Sequence, residues 1–481
     1  MCACMKTLRS HVKFVSNAAC LESRSFESIP GPPRIPLIGS LNDIIHLGNP
    51  KKLHLTISKL HETYGSIVRL KISDTNAIFI KDPAMMRNVF AHEGKYPKHP
   101  LPPAWTYFNN KHNCKRGLFF MDDEEWFIYR KLLNRPLMRD TSWMVEPIKR
   151  VCDKTAKNLF EAEGASRGSV TVDNIEAILY KWSIEVILSL MLGSSYNQGN
   201  VDKLDDLIDR FSQIVYQIFL YSSKLMVIPP ALADRLQLDA WKSFERIVPE
   251  TLDIANGIID IALDEIKRSD GLLSELQNCI HSREIIKRIF ADFIIAAGDT
   301  TSFATLWCLY LLAENQKIQS HIRSSIKDDY QESPLVRGAI KETLRLFPIA
   351  PFIGRILEKD AKIGCYNIPQ HTLALLSLYS AGRDSKNFHS PHEFLPQRWL
   401  RGDDNRQLFS PFNANASLPF AIGSRSCIGQ KVAQYQMHFL ISKILKYYQV
   451  SVLNKGQVDA ELKMVTVPNA NIRLVFETIA E

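Results

Sequence analysis

Paired or clustered cysteines are missing from this 481-residue chain, although it contains nine cysteines. Their number is odd, and they are scattered without the close spacing of metal ligands. This disfavours a disulfide framework or a zinc site and favours a reducing compartment. Internal repeats and low-complexity runs are missing too, while 46% of the residues are hydrophobic. We therefore expect a globular chain with a sizeable core.

Clusters of basic residues are likewise missing. Lysine and arginine number 59 against 51 acidic residues, which gives a formal net charge of +8, but they are spread along the chain. Because there are no basic arms and no basic stretches interleaved with aromatics, no nucleic-acid partner is predicted. The moderate positive charge leaves open a docking site for an acidic protein or a contact with anionic lipid.

The N-terminus has neither an acidic residue before Glu22 nor a long apolar run. A signal anchor of about twenty apolar residues is thereby excluded. The basic stretch, with small residues and serines, predicts a mitochondrial transit peptide over residues 1–29, and a disordered basic tail is the alternative. Residues 30–36 contain four prolines and predict a stiff extended lead-in.

Hydrophobic periodicity predicts a mainly α architecture with small β regions near both ends, an α+β fold. Residues 67–72 alternate between apolar and polar, and a turn at 73–76 followed by an apolar run at 77–80 predicts a hairpin. Amphipathic helical patterns follow from about residue 82 onward. The longest lie near 145–162, 172–193, 200–222, 240–268 and 282–315.

The stretch from Phe420 to Gly429 reads Phe-Ala-Ile-Gly-Ser-Arg-Ser-Cys-Ile-Gly. Its glycines allow a tight turn, and backbone N–H groups at a following helix start would stabilise a thiolate at Cys427. A lone buried cysteine is usually only a small hydrophobe. The spacing Phe-x-x-Gly-x-Arg-x-Cys-x-Gly, however, matches the haem-binding loop of the cytochrome P-450 family at every position, and the chain resembles that family.

The resemblance implies haem b as cofactor, with an axial thiolate from Cys427 that pushes electron density toward bound oxygen. It also implies the cytochrome P-450 fold, in which haem lies between a long central helix and the ligand loop. Residues 37–481 would then form a single catalytic domain behind the lead-in. Phe420, Arg425 and Gly429 of the loop would contact the cofactor.

The predicted central helix runs from Ile289 to Leu312 and is apolar nearly all round. Asp292 and Asp299 lie seven positions apart, hence on one face, which favours a helix through a protein core over a membrane span. We expect Thr300 to bond back to the carbonyl of residue 296 and to leave a polar notch. Ordinary helix packing with a satisfied threonine is the alternative.

The stretch Ala-Ala-Gly-Asp-Thr-Thr at 296–301 resembles the oxygen-activation motif of the family. The resemblance gives Asp299 and Thr300 the role of proton delivery, which favours a working monooxygenase over a passive haem binder. The chain departs from the motif at Ala297, which occupies the usual glycine position, whereas Gly298 comes one place later.

Four residues are expected at the edge of the haem from the same resemblance. Trp126 and Arg130 lie four apart on one helical face, where the family has a Trp-x-x-x-Arg pair that binds a propionate. Arg355 and Arg425 match further propionate-binding arginines of the family. A solvated cation is the alternative for each. Asp123 stands where the family usually has glycine.

Glu342 and Arg345 lie three apart on a predicted helix, and Arg398 follows further along the chain. An exposed pair of this kind is worth about 0–1 kcal/mol. Matched to the family, the three residues instead form a buried Glu-Arg-Arg network that holds the loop leading to the haem ligand.

The transit-like N-terminus without an anchor resembles the mitochondrial branch of the animal enzymes, which take electrons from an adrenodoxin-like ferredoxin and its NADPH-dependent reductase. Arg337 and Lys341 match ferredoxin-docking cations of that branch, and a solvated helix face is the alternative. Lys431 is a single basic residue where two are frequent. Only 42 positions separate Thr300 from Glu342, fewer than is typical of the family. The expected location is the matrix side of the mitochondrial inner membrane, in peripheral contact with it, with the endoplasmic reticulum as the alternative.

A mostly apolar pocket suits a steroid-like substrate oxidised with O2. The resemblance extends to arthropod mitochondrial hydroxylases of ecdysteroids, in particular the 2-hydroxylase type. Two other functions stay open, a haem-thiolate isomerase that needs no external electrons and a non-catalytic haem sensor or carrier. Six aromatic residues are candidates for the pocket, with plain core as the alternative: Trp105, Phe108, Phe119, Phe219, Tyr221 and Phe352.

Overall fold

The computed structural model describes residues 23–33, 49–72, 75–161, 169–197, 201–226, 228–265, 270–327 and 332–479. The predicted transit peptide lies largely outside the described residues, as do the end of the proline-rich lead-in and the centre of the predicted hairpin turn. The chain divides into two compact units. The first contains residues 1–100, 352–384 and 413–426, and the second contains residues 101–351, 385–412 and 427–481. The prediction of one catalytic domain over 37–481 stays a prediction.

Helices dominate the described part of the chain. They are α1 (Leu53–Tyr64), α2 (Pro83–Ala91), α3 (Pro103–Lys111), α4 (Asp123–Asn134), α5 (Val145–Glu161), α6 (Ile175–Leu192), α7 (Val201–Lys224), α8 (Pro230–Arg235), α9 (Asp239–Glu265), α10 (Leu272–Gln277), α11 (Arg283–Glu314), α12 (Gln316–Ser324), α13 (Pro334–Leu346), α14 (Leu378–Gly382), α15 (Asp403–Leu408) and α16 (Gln430–Tyr447). The five long helices predicted from periodicity are α5, α6, α7, α9 and α11, so the mainly α prediction is confirmed.

The strands are short. They are β1 (Ile67–Ile72), β2 (Thr75–Ile80), β3 (Ser169–Val172), β4 (Phe352–Ile356), β5 (Ala361–Ile363), β6 (Tyr366–Ile368), β7 (Leu373–Ser377), β8 (Tyr448–Val452), β9 (Ala460–Lys463), β10 (Val465–Pro468) and β11 (Leu474–Thr478). All of them except β3 lie in the N-terminal third or in the last third of the chain, and the small β regions predicted near both ends are therefore confirmed.

In the first unit, four strands form a sheet in the order β1-β2-β7-β4. β1 and β2 are antiparallel with Ile67 opposite Ile80, which confirms the predicted hairpin. Val68 and Leu70 are buried while Arg69 between them is half-buried, as the alternation indicates. β2 and β7 are parallel, whereas β7 and β4 are antiparallel. β5 and β6 form a separate pair.

In the second unit, α11 is the central helix. Ser282 caps its N-terminus by accepting a hydrogen bond from the N–H of Ile285, and the helix continues to Glu314. It is long and apolar enough to cross a membrane, but 78% of its most apolar window is buried inside the protein. It is therefore a core helix, as predicted. A three-stranded sheet, β3-β11-β8, and the hairpin β9-β10 belong to the same unit.

α13 carries part of the predicted polar network, and its start is fixed by local sequence. Ser333 accepts a hydrogen bond from the N–H of Val336, and Pro334 at the first helical position has no N–H to leave unpaired. Gly338 lies against Pro396, where a Cβ would come 2.5 Å from the carbonyl oxygen of that proline. The helix can therefore approach the segment around Pro396 closely.

Candidate functional site

Cys427 begins the last segment of the second unit, two residues before Gly429, which caps the N-terminus of α16. Burial by surrounding protein raises the pKa of the Cys427 thiol, while the backbone N–H of Gly429 and the charge of Arg130 act in the opposite direction. The side chain is nevertheless exposed. An exposed thiol that is faced by an N–H and a cation is suited to bind a metal as thiolate.

The preceding part of the ligand loop belongs to the first unit. Gly423 has a φ of +83°, and a Cβ there would collide with the carboxyl of Glu93. Glycine is thus required at this position both by the left-handed backbone and by the close approach of a side chain. Nε of Arg425 donates a hydrogen bond to the carbonyl oxygen of Pro97 over 3.0 Å.

Arg355 lies on β4 in the first unit and forms a buried ion pair with Glu93. Burial raises the pKa of Glu93, and the charge and hydrogen bond of Arg355 oppose that rise. Nη1 of Arg355 donates to the carbonyl oxygen of Gly354 over 2.9 Å, whereas Nη2 has no hydrogen-bond partner among the described residues. A buried guanidinium with an unused donor fits a carboxylate such as a haem propionate. Glu93, its partner 262 positions earlier, was missed by the sequence reasoning.

Trp126 and Arg130 lie on α4, both buried. Burial lowers the pKa of Arg130, and the proximity of Cys427 opposes that effect. The structure thus places the guanidinium close enough to the thiol for the two to influence each other's charge. Asp123, at the start of α4, has a φ of +49°, a backbone conformation that favours glycine and that aspartate tolerates. The departure from the usual glycine at this position therefore leaves the backbone turn intact.

The middle of α11 exposes one narrow strip of small side chains. Ala296 is exposed and Ala297 and Thr300 are half-buried, although most of the helix around them is buried. The Thr300 hydroxyl donates to the carbonyl oxygen of Ala296 over 2.9 Å, which confirms the predicted back-bond. The strip offers a small polar notch in an otherwise apolar wall, and α11 continues through it without interruption.

The two carboxylates of α11 have different surroundings. Oδ1 of Asp292 accepts hydrogen bonds from Nη2 and Nε of the buried Arg116 at 2.7 and 3.1 Å. Asp299 is buried and has no ion pair with a described residue. Burial raises its pKa from 3.8 to about 7, while the nearby Tyr180 hydroxyl opposes the rise. A carboxyl that titrates near neutrality can accept or release a proton under working conditions.

Glu342, Arg345 and Arg398 are brought together and are almost completely buried. Arg345 binds Glu342 through two hydrogen bonds, Nη2 to Oε1 at 2.7 Å and Nε to Oε2 at 2.9 Å. Nε of Arg398 donates to Oε1 over 2.9 Å, and Nε1 of Trp399 donates to Oε2 over 2.8 Å. All of the carboxylate's oxygen atoms are therefore used within this buried group.

The two arginines also bind the main chain. Their remaining N–H groups donate to the carbonyl oxygens of a single segment, residues 389–393, at distances from 2.6 to 3.2 Å. The acceptors are His389, Ser390, Pro391 and Glu393. The network consequently fixes a stretch of irregular chain that has no secondary structure of its own to hold it.

Arg337 and Lys341 lie on the exposed face of α13. Arg337 forms an exposed ion pair with Glu332, with Nη1 and Oε2 3.3 Å apart. Nζ of Lys341 lies 5.5 Å from the ring centroid of Trp399. Burial lowers the pKa of Lys341, and the charges of Arg337 and Arg401 add to the effect. Three cations thus lie close together at this end of the second unit.

The candidate pocket aromatics do not form one group. Trp105 and Phe108 are buried in an apolar cluster, where both rings pack edge-on against Phe244, so for them the plain-core alternative holds. Phe119 is 49% exposed. Phe352 packs against another phenylalanine inside the first unit. Phe219 and Tyr221 are partly buried at the edges of the apolar core clusters of the second unit.

Comparison with known proteins decides the family. The family model described as "Cytochrome P450" matches residues 29–476, nearly the whole chain. This chain belongs to the cytochrome P-450 family. It is a haem-thiolate monooxygenase whose cofactor is haem held by a cysteine thiolate. Within the second unit, the exposed thiol of Cys427 and the charge of Arg130 that acts on it fit that cofactor chemically.

The chain is 40% identical to "Cytochrome P450 315a1, mitochondrial" of Drosophila melanogaster, over 94% of this chain and 89% of the relative. It is 25% identical to the mitochondrial 1,25-dihydroxyvitamin D(3) 24-hydroxylase of Mus musculus, over 98% and 94%. It is 27% identical to the mitochondrial cholesterol side-chain cleavage enzyme of Oncorhynchus mykiss, over 95% and 91%. The prediction that this cytochrome P-450 belongs to the mitochondrial animal branch is confirmed, and with it the mitochondrial location.

Proposed function

We propose that the protein hydroxylates an ecdysteroid or a closely similar steroid at an apolar C–H bond, with electrons from a mitochondrial ferredoxin. The observation that carries the proposal is the state of Cys427. Its thiol is exposed, and the backbone N–H of Gly429 and the charge of Arg130 both favour its thiolate form. When bound, haem supplies the iron centre at which O2 is activated.

Each predicted site residue has a part in binding that cofactor. Cys427 would bind the iron through its thiolate, and Phe420 and Gly429 belong to the loop that presents it. Trp126 would contact the haem, and three cations would bind its propionates. These cations are Arg130, Arg355 and Arg425. The unused Nη2 of Arg355 and the effect of Arg130 on Cys427 support this assignment.

Protons for oxygen activation come from α11. Asp299 holds a proton near neutral pH because it is buried without a cation. Thr300 lies on the accessible strip with its hydroxyl bonded to Ala296, so its oxygen atom can accept a proton and hand it on. This pair supports oxygen insertion rather than an isomerase reaction, which needs no delivered protons.

The substrate class follows from the relatives and from the strip on α11. By their names, two of the relatives act on 1,25-dihydroxyvitamin D(3) and on cholesterol, both of which are steroid-derived and largely apolar. Ala296 and Ala297 leave room for a bulky ring system beside α11. A rigid polycyclic substrate with a few hydroxyl groups suits such an apolar wall with one polar notch.

The electron donor is an adrenodoxin-like ferredoxin, reduced in turn by its NADPH-dependent reductase. A small acidic protein would be attracted to the exposed face of α13, where the charges of Arg337 and Arg401 repel that of Lys341. Docking of an acidic surface relieves that repulsion, which favours association at low ionic strength.

A peripheral contact with the matrix side of the inner membrane is supported by an apolar patch. Met226, Leu232 and Leu236 are each 47–59% exposed, and they lie on α8 or beside it. Large apolar side chains clustered on a short surface helix mark a binding surface for lipid or protein. A lipophilic substrate could then enter the protein from the bilayer.

The decisive experiment is a spectral titration of the purified haem-loaded protein with a panel of sterols that includes ecdysteroids with and without a 2-hydroxyl group. A substrate that enters the pocket changes the haem absorption, and turnover with ferredoxin, its reductase and NADPH should yield a product heavier by one oxygen atom. No spectral response to any sterol would contradict the substrate. Bound sterol without turnover would favour a sensor or carrier.

A further inference from the structure

Tyr180 of α6 packs directly on Gly298 of α11. A Cβ on Gly298 would lie 2.6 Å from both Cζ and Oη of Tyr180, closer than side chains approach one another in folded proteins. The glycine is thus needed for the tyrosine ring to lie against α11. The placement of Ala297 and Gly298 in the motif, one position away from the usual pattern, therefore has a structural reason in this chain.

The hydroxyl of Tyr180 lies at Gly298, the residue before Asp299, and the hydroxyl and the carboxyl act on each other's pKa. Both side chains are buried, at 5% and 1% exposure. Neither Oη of Tyr180 nor Oδ1 of Asp299 has a well-formed hydrogen bond to any described residue. A buried polar group without a hydrogen-bond partner costs about 1–3 kcal/mol. The Tyr180 hydroxyl and the Asp299 carboxyl are therefore each other's available partner. Burial, helped by the carboxyl, raises the pKa of Tyr180 well above 10, and the hydroxyl therefore keeps its proton and can donate it in a hydrogen bond.

Ser183 makes a second polar contact from α6 to the same part of α11. Its hydroxyl donates to the carbonyl oxygen of Ala297 over 2.8 Å. Tyr180 and Ser183 lie three apart, hence on one face of α6. On the other side, Thr300 lies on the accessible strip and bonds back to Ala296. Helix α6 therefore holds the segment 297–299 from its buried side.

We propose that Tyr180 is a positioning residue for Asp299: its hydroxyl holds the carboxyl on the buried face of α11, against α6 and away from the accessible strip that carries Thr300. The inference rests on the proposed role of Asp299 and Thr300 in proton delivery. A proton passes from Asp299 to Thr300 only after the carboxyl leaves the tyrosine. The tyrosine hydroxyl thus controls how often the proton is handed on.

Neighbouring charged groups are not among the causes that shift the pKa of Asp299. Burial and the Tyr180 hydroxyl are the causes that act on the pKa of Asp299. Two other carboxylates of these helices have cations of their own, because Asp292 is paired with Arg116 and Glu185 of α6 with Lys154, at 2.7 and 3.1 Å. Glu314, at the end of α11, accepts a hydrogen bond from the Tyr310 hydroxyl instead. Removing the hydroxyl alone should therefore act on Asp299 alone.

Tyr180→Phe keeps the ring and removes the hydroxyl. In the haem-loaded enzyme we expect the infrared band of the Asp299 carboxyl, identified by its loss in Asp299→Asn, to titrate at higher pH than in the wild type. Product formation with ferredoxin and NADPH should shift its pH profile in the same direction. Tyr196→Phe changes another buried tyrosine and should leave the carboxyl band unchanged. An unshifted band in Tyr180→Phe would overturn the proposal.

Gly298→Ala tests the same contact from the other helix. The added methyl group displaces the ring of Tyr180, and the upward shift of the Asp299 band should recur, whereas an unshifted band would again overturn the proposal. The infrared result does not depend on turnover. If Asp299→Asn retains full coupling of NADPH use to product, the proposed proton-delivery role fails, while a shifted band still establishes the contact between Tyr180 and Asp299.

Discussion

Nε of Arg398 donates a hydrogen bond to Oε1 of Glu342 over 2.9 Å, although 56 positions separate the two residues, and both side chains are fully shielded from solvent. The pair connects α13 to the chain segment that follows β7 and α14. A buried ion pair of this kind stabilises the fold only while both partners are present. Either partner alone would be a buried charge without a counter-charge.

Glu342→Ala should therefore destabilise the protein by roughly 3–5 kcal/mol and abolish haem incorporation, since Arg345 and Arg398 lose their common acceptor. Thermal unfolding and the haem-to-protein absorbance ratio measure the two effects. Glu250→Ala is the control, because Glu250 forms an exposed i,i+4 pair with Arg246 and its loss should cost less than about 1 kcal/mol. A folded Glu342→Ala protein with full haem content would refute the role of the network.

Cys427→Ser should remove the absorption band that is typical of carbon monoxide on thiolate-ligated ferrous haem. The serine hydroxyl is a hard, weakly acidic oxygen ligand and does not donate electron density as a thiolate does. Cys279→Ser is the matched control, because Cys279 is also an exposed free cysteine. It should keep the band, and a Cys427→Ser protein that kept it too would show that another residue binds the iron.

Thr300→Val should lower product formation per NADPH, by up to about 10²-fold if the hydroxyl is the group that transfers the proton, and should raise the release of hydrogen peroxide. Haem content and sterol binding should stay near the wild-type level. Thr305→Val removes the same kind of back-bond, to Thr301, from a fully buried position. Equal uncoupling in both variants would indicate a general effect on α11 instead.

Asp299→Asn should gain stability relative to the wild type as the pH rises from 5 to 8. In the folded wild type the Asp299 carboxyl keeps its proton up to about pH 7, whereas in the unfolded chain it loses the proton at about pH 3.8. The stability of the wild type therefore falls as the pH rises between these two values. Between pH 5 and the folded pKa the loss covers about two pH units, which correspond to roughly 3 kcal/mol, and asparagine avoids this loss. Calorimetric melting at several pH values measures the difference.

Asp292→Asn provides the contrast for that experiment. It removes the anionic partner of the buried Arg116, so it should destabilise the protein at every pH between 5 and 8. A difference between Asp299→Asn and the wild type that stays constant over this range would show that Asp299 does not hold its proton in the folded protein.

Lys341→Gln should raise the KM for ferredoxin several-fold without changing sterol binding, because an exposed interfacial charge acts mainly on the association rate. The increase should shrink as salt is added, since salt screens exposed charges. Arg246→Gln removes an exposed cation on α9, 68% accessible, and should leave the KM unchanged. Equal effects of both variants would place the docking face elsewhere.

Local patterns were sufficient to predict most of the fold. Helices such as α5 and α9 are set by apolar periodicity within one segment, and strands β1 and β2 by alternation around a turn. The loop at Cys427 was found because its glycines, arginine and cysteine are adjacent in the sequence. Glu342 and Arg345 were found because they lie one helical turn apart.

The rest depends on residues that meet only after folding. Glu93 and Arg355 are 262 positions apart, and nothing near Glu93 marks it as a partner. Tyr180 lies in a helix that is apolar nearly all round, so its contact with Asp299 could not be predicted from periodicity. Trp105 and Phe108 were candidates for the pocket, but they lie in an apolar core cluster. The sequence could not distinguish the two, because aromatic side chains suit a pocket and a core equally well.

The parallel pairing of β2 with β7 has a consequence for how the polypeptide reaches its folded state. Ala77 pairs with Leu373, so the paired residues are 296 positions apart in the sequence. A chain delivered N-terminus first, during synthesis or import, leaves the edge of β2 without this partner until most of the polypeptide has followed. Completion of the sheet is therefore a late event, and so is completion of its unit, whose last segment, 413–426, follows β7. Chaperones that shield strand edges should matter most for the first hundred residues.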